Sequence, residues 1–136
     1  SGGYKIEGRE IIAKVKNLRA SILTVGPGQS VPWHHHSEVT DTVFCIEGPM
    51  QVETRSPDEE RILIPGNMTA ISPGQPHRVS GVGGDRCKFL IIQGVGDYDY
   101  VPETNDHAYW IEQEGLIVQV DESTAEIPMQ HLHCLA

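Results

Sequence analysis

The sequence predicts an all-β fold, a barrel or sandwich of short strands in one domain spanning 1–136, and three features carry that expectation. Fourteen glycines and nine prolines break the chain at intervals of roughly eight to twelve residues. Between the breaks lie short runs that alternate in polarity or are rich in β-branched residues, such as Ala20-Ser21-Ile22-Leu23-Thr24-Val25. The breaks themselves carry turn chemistry, with Pro-Gly and Gly-Pro pairs at several of them.

Taken in order, the first two strands are placed at 11–15 and 19–25, and Gly26-Pro27-Gly28 turns the chain into a third at 30–36. A fourth strand, 41–47, stops at Gly48-Pro49, and a fifth, 50–54, follows directly. Ser56-Pro57-Asp58-Glu59-Glu60 reads as an exposed acidic hairpin tip before a sixth strand at 61–64. Pro65-Gly66-Asn67 and Pro73-Gly74 bracket the seventh, 68–72, and the eighth, 77–80, begins behind Gln75-Pro76. The glycine-rich segment 81–85 leads to the ninth, 87–93. Past Gly96, Asp97-Tyr98-Asp99-Tyr100 and Pro102-Glu103-Thr104-Asn105-Asp106 read as a connection leading out of the barrel. Farther on, 109–113 reads as a short helical turn, and 116–120 as a strand pairing with the barrel edge or with a second subunit.

Composition narrows the partners. A domain of 136 residues is long enough to bury about two thirds of its unfolded surface without a staple. Ten basic residues stand against 19 acidic ones, a formal net charge of −9, and Lys and Arg form no cluster. Nucleic acid and anionic membranes are therefore not expected partners. The longest purely aliphatic or aromatic run, Phe89-Leu90-Ile91-Ile92, is far too short to span a bilayer. Cys45, Cys87 and Cys134 are odd in number and widely spaced, which predicts free thiols in a reducing, cytoplasmic setting.

The chemistry is concentrated in Val31-Pro32-Trp33-His34-His35-His36-Ser37-Glu38-Val39-Thr40-Asp41. Residues two apart on a strand share a face, so His34 and His36 project together while His35 points away. Asp41 opens the next strand and can close the same site across a tight turn. His77 follows Pro73-Gly74-Gln75-Pro76, a sharp lead into another strand. A His-x-His pair on one strand gives two imidazoles that can converge on one ion.

Here the sequence resembles the cupin superfamily. Its first motif reads Gly28, five residues, His34-His35-His36, four residues, Asp41, six residues, Gly48. Its second reads Gly66, five residues, Ser72-Pro73-Gly74, two residues, His77, three residues, Gly81. Three positions depart from the family pattern: Asp41 replaces Glu, Ser72 replaces Pro and Gly81 replaces Asn. The resemblance covers about 18–95 and implies a double-stranded β-helix, or jelly-roll barrel, with the ligand site inside. It also implies one divalent ion, Fe, Mn, Ni or Zn, held by His34, His36, His77 and Asp41. Glu38 is the alternative carboxylate in the same turn.

Such a set leaves one or two coordination positions open and a net charge near +1, which favours anionic or chelating small molecules. By resemblance, the expected activity is dioxygenase-type or isomerase/lyase-type chemistry on a small polar or anionic molecule. The competing expectation is a non-catalytic binding or sensor module. Small cupins commonly pair through outer strand faces, so a homodimer is expected as well. Cys45, Phe44, Phe89 and Trp33 are read as core or contact residues, with Trp33 the one that can also wall the pocket mouth. Arg78 is set opposite His77 by parity. His107, Tyr109 and Trp110 are read as packing residues in preference to a lid, and the His131-Leu132-His133-Cys134 tail as a terminal segment in preference to a second metal site.

Overall fold

The computed structural model describes residues 4–103 and, beyond them, the backbone of the strands Ala108–Gln113 and Leu116–Asp121. Nine strands fall where the turn chemistry places them, with ends shifted by a few residues: β1 (Gly8–Val15), β2 (Leu18–Val25), β3 (Ser30–His35), β4 (Thr40–Glu47), β5 (Met50–Thr54), β6 (Glu59–Leu63), β7 (Met68–Ile71), β8 (His77–Gly81) and β9 (Cys87–Gly94). With β10 (Val101–Pro102) they form two antiparallel five-stranded sheets, ordered β1-β2-β9-β4-β7 and β10-β3-β8-β5-β6. This is the jelly-roll arrangement, the two sheets enclosing one interior.

Alternation decides which side chains enter that interior. In β2 the buried positions are Ser21, Leu23 and Val25, and in β5 they are Met50, Val52 and Thr54. Register lines these positions up in rows. Leu23, Phe89 and Cys45 lie side by side in one sheet, and Val31, Val79 and Val52 in the other. All six belong to one buried cluster. Full burial of such aliphatic and aromatic side chains contributes about 1.5–3 kcal/mol each. The rows toward one end of the barrel are polar, with His34, His77, Thr54, Asp41 and Gln93 buried there.

Two backbone positions explain motif residues. Gly74, at φ +79°, sits in the turn before His77 and donates its N–H to the His36 carbonyl at 2.7 Å, tying the lead into β8 to the end of β3. At Gly81 a Cβ would lie 1.7 Å from the Asp85 carbonyl oxygen, so the family's Asn has no room there.

Three sequence expectations are corrected. The segment after Gly96 does not lead out of the barrel. It turns back, and Val101 and Pro102 pair with His35 and His34 as an edge strand, where the missing proline N–H breaks no ladder. Asp99 pins the return by accepting hydrogen bonds from the Ser37 N–H and hydroxyl at 2.8 and 2.5 Å. Segment 109–113 is a strand and not a helical turn: β11 (Ala108–Gln113) pairs antiparallel with β12 (Leu116–Asp121), and both are rich in strand-favouring residues. The strand expected at 116–120 is present, but its partner is β11 and not the barrel edge. His107 and the 130–134 tail lie outside the described residues, as do the side chains of Tyr109 and Trp110.

Candidate metal centre

Facing rows of the two sheets build the site. On one sheet His77 of β8 is paired with His34 of β3 and with Thr54 of β5. On the other, Asp41 of β4 is paired with Gln93 of β9. His36 lies one residue past β3 and shares the face of His34. The four predicted residues therefore converge from three strands and one strand end. Each is at most 3% exposed, and one ligand atom from each lies within 4.8 Å of the others.

Backbone carbonyls orient the rings. His34 Nδ1 donates to the Pro32 carbonyl at 2.7 Å, His36 Nδ1 to that of Asp99 at 2.5 Å, and His77 Nδ1 to that of Gln75 at 2.9 Å. A carbonyl only accepts, so each Nδ1 carries a proton and each Nε2 is left facing the centre, where it can coordinate an ion through its lone pair or hold a proton toward Asp41. Asp41 Oδ2 lies 3.1 Å from His36 Nε2 and 3.0 Å from His77 Nε2. Lone pairs facing one another at that distance repel unless a proton or a cation lies between them. The donor set therefore fits a metal ion on its own geometry.

Without an ion, a proton on His36 fills the place beside Asp41. Burial, reinforced by His77 and His36, holds the His34 pKa well below 6.5, so this ring stays neutral. Burial opposes charge on His36 as well, but its hydrogen bond to Asp41 and the Asp41 charge outweigh that and raise its pKa. For Asp41, burial is outweighed by the hydrogen bonds and charges of His36 and His77, which keep the carboxylate ionised far below its usual range.

Some functional neighbours were not singled out in the sequence. Gln93 donates from Nε2 to Asp41 Oδ1 at 3.1 Å and is buried. Its signal was parity: Cys87, Phe89, Ile91 and Gln93 all face inward on β9, so a polar end to that series belongs to the interior. Tyr100 stacks on His34 at 4.6 Å between ring centroids, and Tyr98 packs against His36 at 5.2 Å. These two rings, with Tyr4, cover a metal-side cavity of about 20 Å³, room for about one water-sized molecule. Burial pushes the Tyr100 hydroxyl pKa far up, so the phenol stays protonated. Tyr100 and Ser21 are among the residues lining this cavity, and Tyr100 Oη and Ser21 Oγ are buried with no hydrogen-bond partner among the described residues.

The remaining candidates fall elsewhere. Glu38 is exposed and accepts a long 3.4 Å bond from the Asp97 N–H, so the carboxylate among the imidazoles is Asp41. His35 faces away and pairs with Glu103. Cys45 and Cys87 are free, buried thiols, and burial lifts the Cys87 pKa to about 11, with the neighbouring Cys45 adding to it. Cys45 sits in the apolar cluster and does not line the cavity. Trp33 stacks under the Arg55 guanidinium at 4.0 Å, away from the metal cavity. Arg78 pairs with Glu53 at 2.7 Å, opposite the His77 side as parity requires.

A jelly roll with a buried three-imidazole, one-carboxylate cluster able to hold a metal ion is the class of protein that fold and site define. Residues 21–93 match the cupin domain family, and the chain belongs to it. A search of curated proteins finds no match. Among solved structures, the chain is similar to an uncharacterised conserved protein with a double-stranded β-helix domain from Klebsiella pneumoniae, at 19% identity and TM-score 0.62, covering 72% of this chain and 84% of that one. It is also similar to KdgF from Halomonas sp., at 19% identity and TM-score 0.56, covering 66% and 84%. An oxalate decarboxylase shares the fold at 21% identity and TM-score 0.57 over 64% of this chain but only 24% of its own. At these identities the likenesses establish the fold alone. No helix among the described residues is long and apolar enough to cross a membrane.

Proposed function

We propose that this chain is a metal-dependent enzyme acting on a small polar or anionic molecule that binds at open positions of an ion held by His34, His36, His77 and Asp41. The observation that carries the reading is the convergence of these four buried donors with every Nδ1 already engaged by a carbonyl. Fe, Mn, Ni and Zn all suit this donor set. When bound, such an ion supplies Lewis acidity, an acidified water or a dioxygen site beside a chelated ligand. The chain's own residues do the rest: Gln93 fixes Asp41, and Tyr98 and Tyr100 limit water access. Ser21 Oγ and Tyr100 Oη are neutral donors for a ligand oxygen in the cavity.

A net site charge near +1 inside low-dielectric walls favours anions. The similar oxalate decarboxylase is named for a small dicarboxylate substrate, in keeping with that preference. Two reaction classes fit, dioxygenase-type cleavage and isomerase or lyase chemistry on a sugar-like or keto acid. Elemental analysis of protein purified without chelators or affinity metal is the first test, with His34→Ala/His77→Ala as the comparison. Stoichiometric metal in the wild type and its loss in the variant is the expected result, and negligible metal in both overturns the proposal. Dioxygen uptake across catechols, keto acids and thiols then separates the two classes. Thermal shifts with some compounds and turnover of none would favour a sensor.

We further propose a homodimer formed through the outer face of the β1-β2-β9-β4-β7 sheet. Met68, Phe44, Leu90 and Ile22 form one cross-strand row on that face, with Met68 59% and Phe44 40% exposed. Such a row is an apolar surface suited to a second copy of itself.

A further inference from the structure

Resting on that reading of the metal centre, we infer that the ligand carries a second anionic group, a carboxylate or phosphate, bound by a cationic subsite made of Arg19, Lys14 and Lys16. Register places this subsite. Asp41 pairs with Gln93, Gln93 with Arg19, and Arg19 with Lys14, so one row of side chains across β4, β9, β2 and β1 runs from the metal cluster to a pair of cations. Directly paired residues share a sheet face.

A cleft of about 360 Å³ opens at the outer end of this row, lined by Lys14, Lys16, Arg19, Gln93 and Tyr98. Gln93 and Tyr98 also line the metal cavity, so the two spaces share a wall. The Tyr98 ring is part of that wall: its centroid lies 5.2 Å from that of the His36 ring and 4.1 Å from the Arg19 guanidinium carbon. One aromatic ring touches both a metal-ligand candidate and a cation.

The cations are available for a ligand. Among the described residues Arg61, Arg78 and Arg86 are each held in ion pairs, whereas Lys14, Lys16 and Arg19 are in none. Arg19 Nε is buried without a hydrogen-bond partner. Among the described residues Asp97 is the only acid lining the cleft, and it forms an ion pair with none of the three. Like charges directly opposite on neighbouring strands destabilise a sheet, and the Lys14–Arg19 pair is kept in a chain of net charge −9. An anion between them turns that repulsion into attraction. The metal cavity alone, at about 20 Å³, admits only the chelating end of a ligand, and the larger cleft provides for the rest.

The test is isothermal titration of full-length protein reconstituted with redox-silent Zn²⁺, its metal content fixed by elemental analysis. The probes are α,ω-dicarboxylates from malonate to adipate, with pentanoate as the five-carbon acid lacking a second charge and 4-phosphonobutanoate as the phosphorus counterpart of glutarate. One dicarboxylate or the phosphonate is expected to bind about tenfold or more tighter than pentanoate. Arg19→Gln should reduce that preference to about unity, and Lys14→Gln/Lys16→Gln, on an exposed hairpin remote from the fold's core, should weaken it without altering metal content. The phosphonate-to-glutarate ratio identifies the distal group. Zinc-loaded protein that binds mono- and dianions alike, or binds neither, overturns this inference and leaves the metal reading standing. Protein that takes up no zinc overturns the metal reading and this inference with it.

Discussion

Gln93→Leu isolates the residue that holds the carboxylate in place. Gln93 Nε2 donates to Asp41 Oδ1 at 3.1 Å, and the side chain is only 7% exposed. Leucine is of similar size and apolar, so the change removes a hydrogen bond without opening a large void. A buried acceptor left without its donor costs about 1–3 kcal/mol. Loss of an outer partner of a metal ligand typically lowers affinity by about 10–100-fold, equivalent to about 1.4–2.7 kcal/mol. The two ranges agree, so Zn²⁺ affinity, read by competition with a chromophoric chelator, should fall by about one to two orders of magnitude while metal stoichiometry is kept. Gln93→Glu is the informative companion. It sets a second carboxylate beside Asp41, so the metal-free variant should be destabilised at pH 7 and recover as the pH falls and a proton comes to be shared. Gln93→Leu protein that binds zinc within twofold of wild type would refute the assignment.

Two further outcomes follow from the same geometry. Metal binding must displace the proton that His36 holds above its ordinary pKa of 6.5, so the metal-induced rise in Tm should grow with pH through a window above 6.5 and then level off; His34, held well below 6.5, adds no step near neutrality, and a shift constant from pH 6 to pH 8 contradicts the proton competition. Phe44→Lys places a charge in the Met68–Phe44–Leu90 row and should convert a dimer of about twice 15.0 kDa into monomers by light scattering, whereas a monomeric wild type removes the pairing proposal.

Much of the barrel was legible because strand patterning is local. Ser21, Leu23 and Val25 alternate inward, and Pro-Gly turns mark where β7 and β8 begin. The four metal-site candidates were legible for a related reason: His34 and His36 share a strand face, and fixed motif spacing delivers Asp41 and His77. What escaped depends on pairings that no local pattern encodes. Tyr98 and Tyr100 reach the imidazoles because Val101 and Pro102 add an edge strand to β3, a contact across more than sixty residues of chain. Segment 109–113 was misread because its character depends on a partner, and Ala108–Gln113 is a strand in the company of Leu116–Asp121. Arg19 looked like an ordinary strand residue until register set it beside Gln93.

The departure of Asp41 from the family's Glu is resolved by the same register. Asp41 stands at the beginning of β4, directly between Gln93 on β9 and Ile71 on β7. From there the short side chain already brings Oδ2 to 3.0–3.1 Å of two imidazole nitrogens while Oδ1 takes the Gln93 amide. One more methylene would carry the carboxylate farther into a cavity of about 20 Å³ and away from the amide that orients it. Asp at this position therefore goes with Gln at 93: the shorter acid is fixed by a neighbour on the adjacent strand. That neighbour is also the link between the metal cluster and the cations of β1 and β2, so the residue that fixes the short acid also forms, with Tyr98, the boundary beyond which a second anionic group would be read.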